Sequence, residues 1–251
     1  MLLEVTNASK SFGGLHAVKD ASFEVPAGQV TGLVGPNGAG KTTLFNMITG
    51  TTSVDSGTVH YDGKDITSLS PQHRIGLGMA RTFQDVRLLP RLTLLGNVAV
   101  AVQHQPGEQL RNVFARPAHV RKREKETIER AHECLDYVGL PPEVRSQQAA
   151  GLSYGEQKLL SIARLLATGA RMLLLDEPTS GLDEASLAAF GQVLRRLIDE
   201  NHTVLLVEHN MLLVREFCDR AVFLSSGEVL AVDTPDCLME NKELRNVYFG
   251  A

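Results

Sequence analysis

Three short stretches of the chain are apolar from end to end: VTGLV up to Val34, MLLL before Asp176, and TVLLV before Glu208. Such runs are too short for helices and are closed off by turn or charged residues. They predict strands with both faces covered, as in a parallel sheet. Elsewhere the period is helical. In EASLAAFGQVLRRLIDE, Leu187, Phe190, Leu194 and Leu197 fall on one face. In RKREKETIERAHECLDYVGL, Ile128, Ala131, Leu135 and Val138 do the same, and Gly139 with Pro141 and Pro142 ends the element. TTLFNMITG predicts a helix stopped by Gly50. The first third reads as strands and turns. LLEVTNASKSF and ASFEVPAGQV are β-rich, broken at Gly13-Gly14 and at Pro26-Ala27-Gly28, and SGTVHYDGKDI reads as a hairpin turning at Asp62-Gly63. RAVFLSSGEVL is a further β-segment. Strands alternating with helices imply an α/β fold built on a parallel sheet, with the helical middle inserted between its two halves.

Composition limits what such a fold serves. The 251 residues are 43% hydrophobic, enough for a real core in one large domain or two lobes. A net charge of -4 gives no reason to expect a nucleic-acid partner. Cys134, Cys218 and Cys237 are odd in number and match no metal or redox spacing, so they read as reduced, mostly buried thiols of a cytosolic protein. MLLEVTNASK lacks the basic start of a signal peptide. No apolar run approaches the roughly 20 residues that span a bilayer. Membrane association is therefore expected only through a partner.

The candidate chemistry begins where the first apolar run ends. GPNGAGKTT comprises Gly35, Pro36, Asn37, Gly38, Ala39, Gly40, Lys41, Thr42 and Thr43. It fits the phosphate-binding loop pattern at every fixed position and stands between a predicted strand and a predicted helix. Glycines let backbone N–H groups turn inward around a phosphate chain, and the helix adds its free N–H groups and positive dipole end. Lys41 is suited to the outer phosphates and Thr42 to Mg²⁺. Asp176 and Glu177 end the second apolar run. Two carboxylates there are costly without a purpose, and Mg²⁺ beside the phosphate loop supplies one: Asp176 for the metal shell, Glu177 as general base toward water. Gln84 offers a polar head that orients water or completes the metal shell, though most lone glutamines are surface residues. His209, after the third run, is placed to hydrogen-bond a transferring phosphoryl oxygen, or is simply a satisfied histidine at a strand end. Ser153 and Glu156 of LSYGEQ have capping-box spacing. Gly155 leaves that helix start open to a second anion, which suggests a nucleotide shared with another chain.

GPNGAGKTT, the Gln84 loop, LSYGEQ, MLLLDEP, SGLD and His209 occur in the order seen in ATPase subunits of ABC transporters, and the chain resembles that family from Phe12 to about Gly227. The resemblance implies a P-loop NTPase (RecA-like) core with an antiparallel β lobe and an inserted α-helical lobe. It places the core at residues 1–88 and 158–251 and the helical lobe at 89–157. It implies ATP and Mg²⁺ as cofactors, with Thr42, Gln84 and Asp176 toward the metal and Glu177, Gln84 and His209 in catalysis. It further implies a head-to-tail dimer in which Ser153 and Gly155 of one chain cover the nucleotide on the other. Asp183 falls in the loop linking the two sites, and Phe12 stands where the family stacks an aromatic on adenine. Tyr154 and Glu156 depart from the commonest signature, while the serine and second glycine remain.

SFGGLHAVKDASFEV, FNMITG, ARTFQDVRLLPRLTLLGNV, the segment from Gln103 to Glu124 and NKELRNVYFGA resemble, more narrowly, the ATP-binding subunit of branched-chain amino-acid importers. That likeness implies transmembrane permease subunits, a second ATPase subunit of the same or another kind, a solute-binding protein acting indirectly, and a peripheral place at the cytoplasmic face of the inner membrane. Urea or amide importers, exporters and soluble ABC ATPases are the alternatives. The basic run from Arg111 to Arg130 reads as a solvated helix face, or else as a surface toward lipid headgroups or the transmembrane partner.

Overall fold

A computed structural model describes residues 1–83, 85–103 and 117–249. Gln84 and the part of the basic run before residue 117 lie outside the described residues. The chain divides into two compact units, Met1–Arg81 with Arg171–Pro178 and Leu194–Ala251, and Thr82–Ala170 with Thr179–Val193. The second unit is wider than the 89–157 lobe expected from sequence, because it takes in the helix following LSYGEQ and the segment after Pro178.

The first unit holds both sheets. Strands β1 (Leu3–Phe12), β2 (Leu15–Val25), β4 (Ser56–Tyr61) and β5 (Lys64–Asp65) form an antiparallel sheet in the order β2-β1-β4-β5. Its turns fall where the glycines and the Asp-Gly pair predict them: Gly13 and Gly14 have φ of 55° and 86°, Asp62 and Gly63 of 51° and 73°. The second sheet runs β10 (Glu228–Asp233), β9 (Arg220–Ser225), β3 (Val30–Val34), β8 (Thr203–Val207), β7 (Met172–Asp176), β6 (Met79–Arg81). All neighbours are parallel except the β9–β10 hairpin. The three apolar runs are β3, β8 and β7, adjacent and buried at every position. Three-residue β6 was not read from sequence, being too short to show a period.

Helix α1 (Lys41–Thr49) packs Leu44, Phe45, Met47 and Ile48 into the core that both sheets share. Gly50 (φ 76°) stops it as expected. A second device, absent from the sequence reading, is Arg74 in α2 (Pro71–Gly76). This buried guanidinium donates to Met47 O (2.7 Å), Ile48 O (2.6 Å), Leu69 O (3.0 Å) and Thr67 O (2.9 Å), gathering the last carbonyls of α1. A side chain on Gly50 would meet Arg74 Nε at 2.8 Å.

In the second unit α3 (Leu94–Ala99), α4 (Pro117–Tyr137) and α5 (Tyr154–Ala167) pack on one another. On α4, Ala131, Leu135 and Val138 are buried as predicted, but Ile128 is exposed and Cys134 takes part in the apolar face instead. The opposite face carries the pairs Arg123–Glu126 and Arg130–Glu133 three residues apart and Lys125–Glu129 four apart, as a solvated face does. Asn97 is fully buried. Its Oδ1 accepts from Leu89 N (2.9 Å), and its Nδ2 donates to Leu89 O (2.9 Å) and Thr93 O (3.0 Å). On helix α6 (Glu184–Asp199), Phe190, Leu194 and Leu197 are buried and Leu187 is half-buried. Three further helices close the first unit: α7 (Met211–Phe217), α8 (Pro235–Glu240) and α9 (Lys242–Phe249).

Candidate functional site

The phosphate loop occupies the carboxyl end of β3, the edge of an open parallel sheet where ligands bind. Its shape depends on glycine at two points. Gly35 (φ 148°) and Gly40 (φ 100°) adopt backbone that L side chains rarely take, and a Cβ would lie 1.9 Å from Leu224 O at the first and 2.2 Å from Ala17 O at the second. Gly38 (φ 78°) has open space around it. Gly40 precedes α1 and no side chain caps the helix start, so its first N–H groups point into the loop. Lys41 folds back across the loop, its Nζ donating to Gly35 O (2.7 Å) and Pro36 O (3.0 Å). Burial pushes this ammonium below its ordinary pKa, and the nearby charge of Glu177 pulls it back up. Thr42 is exposed at the first turn of α1.

The other strand ends converge on the same edge. Val207, the last residue of β8, pairs with Leu33 on one side and Asp176 on the other. Glu177 N donates to Val207 O (3.0 Å) and Glu208 N to Leu33 O (3.3 Å). The lysine loop, the paired carboxylates and the Glu208-His209 turn thus follow three adjacent strands. Asp176 is buried, and Oδ2 stands 3.6 Å from Arg81 Nη2. Arg81 also donates to Asn46 Oδ1 (3.0 Å) and Thr49 Oγ1 (2.9 Å) of α1 and lies over the Phe45 ring. One guanidinium therefore joins β6, α1 and Asp176. Sequence reasoning passed over it, since an arginine in a three-residue strand carries no periodic signal. Glu177 has φ 43°, a conformation that a residue other than glycine holds only at a cost. The strand ends here, with Glu177 N still bonded to β8. The His209 imidazole is exposed, while the neighbouring Glu208 carboxylate is fully buried. Phe12, at the end of β1, is 53% exposed, with the Lys10 ammonium 5.4 Å from its ring centre.

Ser153, Gly155 and Asp183 belong to the second unit. Ser153 caps α5 in a full capping box: Glu156 N donates to its Oγ (3.3 Å), and Ser153 N donates to Glu156 Oε2 (2.8 Å). The expectation that Gly155 keeps this helix start uncluttered needs an addition. A Cβ there would lie 2.2 Å from Ser186 Oγ, so packing within the unit already requires glycine. Asp183 opens α6, accepting from Ser186 N (2.8 Å). That bond holds its carboxyl below the usual range. Cys134 and Cys218 are buried and Cys237 is exposed on α8, so the thiols are mostly buried, as expected.

A sequence profile of the ABC transporter family matches residues 18–180. The chain is 39% identical to the high-affinity branched-chain amino acid transport ATP-binding protein BraF of Pseudomonas aeruginosa, covering 99% of this chain and 98% of that one. It is 36% identical to the corresponding protein LivG of Salmonella typhimurium, with coverage of 99% and 98%. Among solved structures it is similar to the ADP conformation of MJ1267, an ATP-binding cassette of an ABC transporter, at 28% identity and a TM-score of 0.83 over 100% of this chain and 99% of that one. Matched to the family over residues 18–180 and to its ATP-binding subunits over nearly its whole length, the chain belongs to the ABC transporter family as one of its ATP-binding cassettes.

Proposed function

We propose that the chain energises import of branched-chain amino acids or closely related solutes, as the ATP-hydrolysing subunit of a membrane complex. The observation that carries the ATPase part is the convergence of Lys41, Asp176, Glu177 and His209 at the ends of three adjacent strands. ATP lies with its phosphates in the loop from Gly35 to Thr43, held by the N–H groups at the start of α1. Lys41 exchanges the Gly35 and Pro36 carbonyls for phosphate oxygens. Phe12, already exposed, stacks on the adenine. Glu177 accepts the proton of the attacking water, and His209 and Gln84 orient the transferring phosphoryl group and the water.

The donor set fits Mg²⁺: the Thr42 hydroxyl and the Asp176 carboxylate are hard oxygen donors. Among the described residues no three His, Cys, Asp or Glu side chains form a cluster that could hold a metal. A magnesium ion bound mainly through phosphate and water needs no such cluster. When bound it neutralises phosphate charge; Thr42, Asp176 and Gln84 are the groups on this chain that hold it. The dimer is part of the proposal. Ser153 and Gly155, at the helix start of one chain, close over the nucleotide on another, and Asp183 links the two sites.

No helix among the described residues is long and apolar enough to cross a membrane. The similarity to transporter subunits supports transmembrane permease subunits as partners, with the chain at their cytoplasmic face. The similarity to BraF and LivG supports the choice of solute. The test is ATP hydrolysis by the chain assembled with its permeases in vesicles. Stimulation by a binding protein loaded with leucine, and not by one loaded with urea or a polar amino acid, is expected. Stimulation by urea alone, or assembly with no permease, overturns the reading.

A further inference from the structure

The loop that carries His209 is fixed through its backbone. Glu208 N donates to Leu33 O of β3 (3.3 Å), and His209 N donates to Glu208 Oε2 (3.3 Å). The Asn210 side chain caps α7 by accepting from Leu212 N (3.0 Å). The remaining handle, the carbonyl of His209, accepts a hydrogen bond from the hydroxyl of Tyr248. Tyr248 lies on α9, far along the chain from the site, and nothing in the phosphate-loop chemistry calls for it.

Packing around α9 sets where that hydroxyl stands. The Tyr248 ring meets Phe223 of β9 with centroids 6.1 Å apart. Leu238 and Leu244, from α8 and α9, are buried. With Met211, Phe223, Met239 and Tyr248 they line a cavity of only ≈ 40 Å³, so the helices seat closely. Arg215 of α7 pairs with Asp236 of α8 at 2.6 Å, and Asn241 caps α9 by accepting from Glu243 N (2.9 Å). Burial, and then the Glu208 charge, push the Tyr248 hydroxyl above its ordinary pKa. A tyrosine hydroxyl is protonated at neutral pH even at its ordinary value, so it donates here. The imidazole of His209 is meanwhile left exposed, so the clamp holds the backbone and leaves the ring to act.

We infer that Tyr248 is a positioning residue for hydrolysis: the last helix clamps the His209 carbonyl and so sets where the imidazole stands. This rests on the proposed role of His209. A helix that merely completes the fold would need the aromatic ring against Phe223 but not the hydroxyl, and Tyr248→Phe separates the two.

The experiment measures kcat and KM for Mg-ATP in the full chain for wild type, Tyr248→Phe, His209→Ala and the double variant, with thermal stability alongside. Expected is a kcat about fivefold to tenfold lower in Tyr248→Phe, the rate equivalent of one hydrogen bond. KM and Tm stay close to wild type, and no further loss appears when His209→Ala is already present. Wild-type kcat in Tyr248→Phe, or the same fractional loss in both backgrounds, overturns the inference while leaving the role of His209 standing. A His209→Ala protein at wild-type rate overturns that role and the inference with it. Where His209→Ala leaves no measurable rate, hydrogen exchange decides. Faster exchange across residues 208–212 in Tyr248→Phe, with α1 unchanged, supports the clamp, and unchanged exchange there overturns it.

Discussion

Lys41 illustrates how a single side chain serves both the fold and the chemistry. Its ammonium is largely buried, and its bonds to Gly35 O and Pro36 O stabilise the loop that ATP would occupy. Lys41→Ala is expected to weaken ATP binding by about tenfold to a hundredfold, the worth of a charge-assisted hydrogen bond; calorimetric titration with Mg-ATP measures it. Phe12→Ala should weaken binding less and leave turnover at saturating ATP intact. A fall in that turnover with unchanged affinity would remove Phe12 from the adenine site. Thiol reactivity tests the placement of buried groups directly. Burial raises the pKa of Cys134 and Cys218, and the charges of Asp219 and Glu208 raise that of Cys218 further. Since the thiolate is the reactive form, iodoacetamide at neutral pH should label Cys237 on the folded protein and the other two only after unfolding, as peptide mass spectrometry would report. At this scale the sequence was most legible where chemistry is local. The phosphate loop, the strand-end carboxylates and the Ser153–Glu156 cap each lie within a few consecutive residues. Arg81, Arg74 and Tyr248 were not legible, because each acts on residues that only the fold brings near.

At the scale of the element, α1 depends on both ends. Its start depends on Gly40, whose backbone no side chain tolerates with Ala17 O so close. Its end depends on Arg74. Arg74→Met would remove the charge-assisted bonds and leave the carbonyls of Ile48, Leu69 and Thr67 without that donor, while Met47 O keeps Gly50 N at 3.2 Å. At about 1–3 kcal/mol for each buried group left unsatisfied, a loss of about 3 kcal/mol in unfolding free energy is expected. Urea denaturation measures it, and a loss under about 1 kcal/mol would mean that water replaces the guanidinium. The long apolar runs predicted their strands because a buried parallel strand has no polar face to confuse the pattern. On α4, period alone placed Ile128 on the buried face, where the structure leaves it exposed, because charged neighbours beside a short apolar stripe do not fix how wide the stripe is. Strand β6 and the short helices fell below the length at which any period shows.

For the whole molecule, the sheet order explains why one edge carries the chemistry. β3, β8 and β7 are neighbours, so loops far apart in sequence end side by side. No spacing in the chain shows that adjacency; the sheet order does. The division of labour between carboxylates follows from it. Asp176 closes the strand beside Arg81, and Glu177 follows it with a strained backbone. In the proposed dimer, Glu177→Gln protein should accumulate as an ATP-held pair, since ATP favours the closed state and is no longer hydrolysed. Adding Ser153→Arg should abolish that pair, and light scattering with Mg-ATP would detect the change. A dimer indifferent to Ser153→Arg would contradict the shared site. The central claim is that this edge hydrolyses ATP with Glu177 as the base, and single-turnover hydrolysis by Glu177→Gln, with ATP affinity measured on the same sample, tests it most directly. The amide keeps the shape of the carboxylate but cannot take the proton of water, so affinity should hold while the rate falls by about 10²–10⁴-fold. Hydrolysis at the wild-type rate would contradict it.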